Sequence, residues 1–361
     1  MKIGEDMNYR IASILAPEAA NSAATKTLDI NLADPVSRII IQIKGLNDGT
    51  TLTAHPAKMV SKIELVDGSD VLFSLSGVEC QALNYYDKGK MPFNVVNYCN
   101  DVYAIATYEL NFGRYLFDPV LALDPKKFIN PQLKITHDVS KGGTAPDAGL
   151  LSVFADIFDE KEVTPTGFLM NKEQYSYTLS ASAKEHIDLA TDYPYRKMLL
   201  QSMSTSLQPW EQFNKIRLDQ DSGRRVIIND EKTSNLLKLT GIWPIFQETI
   251  EAPTKNGTQT IPCAASYERV AVLTGMAADA DAYLTQTYGG SIKVADSAAA
   301  VIDMIVSGFC PHSAFCLPFG IQTDPADWFD VSKIGSLRLS ITAGGSASGT
   351  CEVVTQQVRS Y

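Results

Sequence analysis

From residue 25 onward the chain sets apolar against polar positions in short runs, as in TLDINL at 27–32 and RIIIQI at 38–43. Runs of this length, alternating or rich in β-branched residues, predict strands. Asn47-Asp48-Gly49 and Asp67-Gly68-Ser69 fall between them, and such residues make the tight turns that join strands. A helix is predicted at 78–87, ended by Gly89, which tolerates the positive φ of a helix C-cap. A second helix is predicted at 231–239. A third is predicted at 296–306, where Val301, Ile302, Met304 and Ile305 are apolar. Residues 9–24 are rich in Ala and Ser with a weak helical pattern, so residues 1–24 read as an N-terminal arm that orders against a neighbour.

The pattern occurs twice. DPVLALDPKKFINPQLKIT at 118–136 aligns without gaps to DPADWFDVSKIGSLRLSIT at 324–342, an offset of 206 with seven of 19 positions identical. Background usage of common residues gives about one identity by chance. Phe112-Gly113 has its counterpart in Phe319-Gly320. Lys62-Ile63-Glu64-Leu65 matches Lys215-Ile216-Arg217-Leu218 at an offset of 153, and Asp34 and Arg38 match Asp192 and Arg196. Because these matches keep their order, the chain reads as a duplication with a first domain at 25–163 and a second at 164–361. The offset grows from 153 to 206, which places an insertion of about 53 residues in the second half, within 243–312.

In each half a Leu-x-Ile strand follows a long turn-rich connection. A sandwich needs such crossovers between its sheets, whereas hairpin meanders use loops of about 2–5 residues. The fold class is therefore all-β, two tandem jelly-roll β-sandwich domains with short flanking helices. Strands outnumber helices too far for alternating βαβ units.

The segment from Phe112-Gly113-Arg114-Tyr115-Leu116-Phe117-Asp118-Pro119 to Pro131-Gln132-Leu133-Lys134-Ile135 resembles the equivalent stretch of double-jelly-roll major capsid proteins of tailless icosahedral prokaryotic viruses. The duplicated layout agrees with that resemblance. The resemblance implies a homotrimer of pseudo-hexagonal outline that meets neighbouring capsid trimers, and vertex proteins, in an icosahedral virion shell. It also implies an internal membrane beneath, with the N-terminal arm packed under the shell and the insertion facing outward. The alternatives are a two-jelly-roll carbohydrate-binding or glycan-processing protein and a minor virion component such as a spike base.

Composition narrows these readings. The 361 residues carry a formal charge of −10 and no basic block, so the clustered Lys and Arg of a phosphate-binding surface are missing and direct specific nucleic-acid binding is not expected. The apolar run at 298–306 is broken by Asp303 and is far shorter than the ~20 residues of a membrane span. The N-terminus lacks a secretory signal pattern, so synthesis in the host cytoplasm is expected. There the six cysteines, at 80, 99, 263, 310, 316 and 351, read as free thiols.

No residue is assigned to catalysis, to a cofactor or to a metal. Cys310-Pro311-His312 with Cys316 offers three soft ligands, but a closed zinc site needs four. The four histidines, at 55, 137, 186 and 312, form no H-x-H pair. Gly344-Gly345-Ser346-Ala347-Ser348-Gly349 has neither the Lys of a phosphate loop nor a nucleophile-elbow register and reads as a hairpin turn. Asp279 and Asp281 lack the later positions of a calcium loop. The repeated pairs Asp118/Asp324 and Asp124/Asp330 sit in turns beside Pro or at matching turn positions, where a capping role accounts for them. Trp210, Trp243 and Trp328, which a glycan cleft would use, are widely spaced.

Overall fold

A computed structural model describes residues 8–204, 207–239, 241–274, 283–288, 290–297 and 299–361. The chain forms two compact units, one running up to Lys172 and including Val358–Tyr361, the other Glu173–Gln357. The division thus falls later than the expected 163/164, and the last four residues belong to the first unit.

In the first unit, strands β1 (Tyr9–Ala19), β9 (Ala148–Phe158), β3 (Val36–Leu46) and β7 (Tyr103–Asn111) form one sheet in that order. The other holds β2 (Ala24–Asp29), β8 (Pro131–His137), β4 (Val60–Asp67) and β5 (Asp70–Leu75). A two-residue β6 (Val96–Asn97) completes this part of the chain. The start of β10 (Gly167–Thr178) adds to β5 in parallel, Asn171 opposite Phe73 and Lys172 opposite Ser74. Strand β3 buries Ile39, Ile41 and Ile43 completely, and β4 and β8 bury Ile63, Leu65, Leu133 and Ile135. Each such aliphatic side chain contributes about 1.5–3 kcal/mol on leaving water.

The helix α1 (Gly77–Lys88) begins at a capping box. Ser76 accepts the Glu79 N–H, while the Glu79 carboxylate accepts the Ser76 N–H at 2.6 Å. Gly89 ends it at φ 71°, the left-handed conformation that the sequence predicts there.

The second unit repeats the design. One sheet runs β10, β23 (Thr350–Ser360), β12 (Tyr195–Gln201) and β21 (Ala314–Pro318). The other runs β11 (Lys184–Leu189), β22 (Leu337–Ala343), β13 (Phe213–Gln220) and β14 (Arg225–Lys232). Strand for strand, β10, β23, β12 and β21 occupy the places of β1, β9, β3 and β7, and β11, β22, β13 and β14 those of β2, β8, β4 and β5. The one-turn α2 (Pro209–Gln212) precedes β13, and α3 (Thr233–Leu239) follows β14 as α1 follows β5. Between α3 and β21 lie β15 (Phe246–Pro253), β16 (Gly257–Pro262), β17 (Ser266–Thr274), β18 (Tyr283–Tyr288), β19 (Ser291–Asp296) and β20 (Val301–Phe309). Here β20 pairs with both β15 and β17, and β19 with both β16 and β18.

Four expectations are corrected. The arm with a weak helical pattern is, over Tyr9–Ala19, strand β1, paired antiparallel with β9 of the same unit. Register shifts at Ser13/Leu15 and Leu15/Glu18 break its alternation, which hides the strand from a periodicity reading. The third predicted helix is strand β20: Ile302, Met304 and Val306 are buried and their neighbours are not, a period of two that adjacent apolar residues obscure. Residues 344–349 are no hairpin, because β22 and β23 lie in different sheets and the segment crosses between them. Gln212 pins it there, donating to the Ser348 carbonyl at 2.7 Å and accepting its N–H at 3.2 Å.

The last correction concerns Arg38 and Arg196. Val36 bridges Leu123 and Tyr195 bridges Phe329, so Val36 and Tyr195 are equivalent. Each is followed by a register shift that leaves one residue, Ser37 or Arg196, outside the ladder. Arg196 is therefore the counterpart of Ser37, and Arg38 that of Lys197.

Ser76→Ala removes one half of the α1 capping box and is expected to lower stability by about 1 kcal/mol, measured as a shift in the urea midpoint. A second expectation concerns pH. His137 on β8 is buried, and loss of hydration holds its imidazole below the ordinary 6.5 despite the attraction of Asp138 and Glu18. A group so depressed contributes stability that is complete above pH 6.5 and is lost as pH falls through the folded-state value. The urea midpoint should decline below pH 6.5, and His137→Asn should flatten that limb.

Candidate functional site

The duplicated Asp-Pro segments form the long connections from β7 to β8 and from β21 to β22, the crossovers that make each sandwich a jelly roll. A crossover has no ladder partner of its own, so its N–H groups need local acceptors. All four repeated aspartates supply one in the same way. Asp118, Asp124, Asp324 and Asp330 accept the backbone N–H two residues on, from Val120, Lys126, Ala326 and Ser332, at 2.9–3.1 Å. Their sequence identity is thus a turn signature.

The copies differ in what surrounds them. Asp118 is fully buried and also accepts from the Arg114 guanidinium at 2.6 and 2.8 Å. Burial pushes its carboxyl up, but these bonds and the N–H groups of Val120 and Arg114 outweigh that and hold it below 3.8. Asp324 is exposed, and the residue after Gly320 is Ile321 where Gly113 is followed by Arg114. Asp330 lines an open cleft together with Asp327, and each carboxylate there accepts a backbone N–H, from Ser332 at 2.9 Å and from Ile321 at 2.6 Å.

The cysteines and histidines do not converge. Cys310 follows β20, Cys316 lies on β21 opposite Leu199, and the buried His312 sits on the turn between. The backbone of His312 is held on both sides, its N–H donating to Ala264 at 2.7 Å and its carbonyl accepting from Gln201 at 2.8 Å. His55 caps a short turn through Nδ1, and His186 meets Ser340. Among the described residues no three His, Cys, Asp or Glu side chains form a metal-binding group. Asp279 and Asp281 lie outside the described residues. No disulfide joins the six cysteines, and burial pushes the Cys351 thiol up to about 12.

The tryptophans are turned inward. Trp328 is 4% exposed, its indole N–H donates to the Ile321 carbonyl at 3.0 Å, and the Arg196 guanidinium lies over its ring. Trp210 packs on the core of the second unit, and Trp243 is half-buried near Lys197. They share no face on which a sugar could stack.

One open cleft of about 550 Å³ lies in the second unit, between the edge strand β14 and the Asp-Pro crossover. Arg225 and Ile227 line one side and Phe319, Trp328 and Lys333 the other. No sequence motif marks it, since it depends on which side of β14 stays uncovered. No helix among the described residues is long and apolar enough to cross a membrane.

No family model matches the sequence, and no curated protein sequence is similar to it. Solved structures are similar over nearly their whole length. The major capsid protein of bacteriophage PM2 superposes with a TM-score of 0.57 at 9% identity, covering 98% of both chains. A chain of the atomic structure of Sulfolobus turreted icosahedral virus gives 0.60 at 11% identity, covering 98% of this chain and 91% of that one. A chain of the PBCV-1 virus capsid gives 0.58 at 12% identity, covering 99% and 95%. With both sandwiches matched end to end and the strand order repeated between them, the chain has the double-jelly-roll fold of the major capsid proteins of icosahedral viruses.

Proposed function

We propose that this protein is a structural coat subunit, the major capsid protein of an icosahedral virion. The observation that carries the reading is the end-to-end match of both jelly rolls, insertion included, to capsid chains of similar length. A shell subunit works through its outer surfaces, so its long connections need only be well tied, as the aspartate turns tie them. Two similar sandwiches in one chain let a threefold trimer present six similar edges, which extends closed symmetry into a lattice with one gene product.

The finer reading is a homotrimer that contacts neighbouring trimers and vertex proteins and lies over a membrane. The segment that holds β15–β20 is the part of the second unit with no counterpart in the first, and it supplies the outward-facing surface. Purified protein at micromolar concentration should run in native mass spectrometry as three chains of 39.4 kDa each. Electron micrographs should show a pseudo-hexagonal outline. A species that remains monomeric across that range would refute the coat reading.

A further inference from the structure

The two jelly rolls finish one sheet edge differently. In the first unit the outer edge of β5 is covered by the start of β10 and the end of β23. Leu72 and Phe73 of β5 are buried there, as are Phe168, Leu169 and Met170 of β10. Arg359 of β23 locks the arrangement with a two-pronged ion pair to Asp70, at 2.9 and 2.6 Å.

The second unit offers the same seat uncovered. The pairings Leu65–Phe73 and Leu218–Ile228 make Ile227 and Ile228 the counterparts of Leu72 and Phe73. Both are only half-buried, and the adjacent Val226 is 37% exposed. Strand β14 ends its sheet, and the open cleft runs along it. Arg225, which pairs with Gln220 as Asp70 pairs with Asp67, stands exposed at the place of Asp70. The charge at this place is reversed.

The duplication says what fits such a seat. Strands β10 and β23 are the second unit's versions of β1 and β9. Ile157 pairs with Val36 as Gln357 pairs with Tyr195, so Asp159, two residues past Ile157, is the counterpart of Arg359. The charge is reversed here as well. The start of β1, unlike that of β10, is exposed: Ile11 is 70% accessible, and β1 ends its sheet. Asp159 lies beside that start, its N–H donating to the Asn8 carbonyl and its carboxylate 3.3 Å from Arg10.

We propose that the β1/β9 end of one copy seats on β14 of the next copy, β1 adding to β14 in parallel and Asp159 pairing with Arg225. The occupant is a second copy of this chain, because the filler that the seat fits is this chain's own strand pair with matching opposite charge. Each copy offers one seat and one filler, so the contact is head-to-tail, and on the trimer reading three such contacts make a ring. The inference rests on the trimer reading and names the surface that forms the trimer.

The test is a charge exchange read by native mass spectrometry. Arg225→Asp and Asp159→Arg each set like charges against each other and should raise the trimer dissociation constant by about tenfold or more, since facing like charges oppose association. The double variant should recover most of that loss. Arg225→Ala, at an exposed position, should weaken the trimer less than Arg225→Asp, and circular dichroism establishes that each variant is folded. A wild-type chain that fails to associate overturns the trimer reading and this inference together. A wild-type trimer with folded single variants unchanged, or with no recovery in the double variant, overturns this inference alone.

Discussion

Main-chain groups at the rim of a β-sheet need partners, and much of this molecule is arranged around that need. A strand edge left bare costs unsatisfied hydrogen bonds or recruits another strand. In the first unit β10 satisfies β5, and its apolar residues seal both strands from water. The crossovers meet the same demand by other means. The Val36–Leu123 and Tyr195–Phe329 bridges anchor each one to a sheet, and an aspartate turn absorbs the N–H groups that follow. Because these devices serve the backbone, they survive in both copies while the side chains around them change.

Charge shows how far two copies of one backbone can diverge. Around β3, Arg38 bridges Asp156 at 2.7 Å and Glu109 at 3.1 Å, with Lys88 on the same Glu109 carboxylate. Ionic groups removed from water need such mutual neutralisation to be tolerated. Around β12 Lys197 holds the place of Arg38, and the residue left out of the ladder adds a second cation. Arg196 is buried, with its Nε on the Gln322 carbonyl at 2.9 Å, Nη1 on Gln356 at 3.0 Å and its plane over Trp328. There carbonyl oxygens and an aromatic face replace the carboxylates. The ladder irregularity is common to both units, so the copies share geometry where they no longer share chemistry.

Much of this was legible in the sequence, and the exceptions share a physical reason. The matches at 118–136 and 62–65 placed equivalent strands correctly because β4 pairs with β8 residue for residue over Lys62–Asp67 as β13 pairs with β22 over Lys215–Gln220, and α1 was visible because Gly89 marks its end. Strand β1 was missed because its register shifts twice, and Arg38 was matched to Arg196 because a ladder irregularity displaces the ladder by one. The 344–349 turn was assigned to a hairpin because glycine content reports backbone freedom and says nothing about which sheet the next strand joins. The cleft beside β14 was invisible for a stronger reason. Both Leu72 and Ile227 are apolar, and only the fold shows that one is covered and the other is not.

That last contrast bears on why 9–12% identity accompanies so complete a match in shape. A jelly roll needs period-two apolar strands, turn residues at the right places and satisfied crossovers, and many sequences meet those terms. Asp70 with Arg359 and Arg225 with Asp159 could exchange signs pairwise without disturbing either core, since each pair sits at a rim. Cores therefore hold the fold while rims are free to drift in matched pairs. Specific association can then persist in this architecture with little trace in sequence identity, because each rim answers only to its own partner.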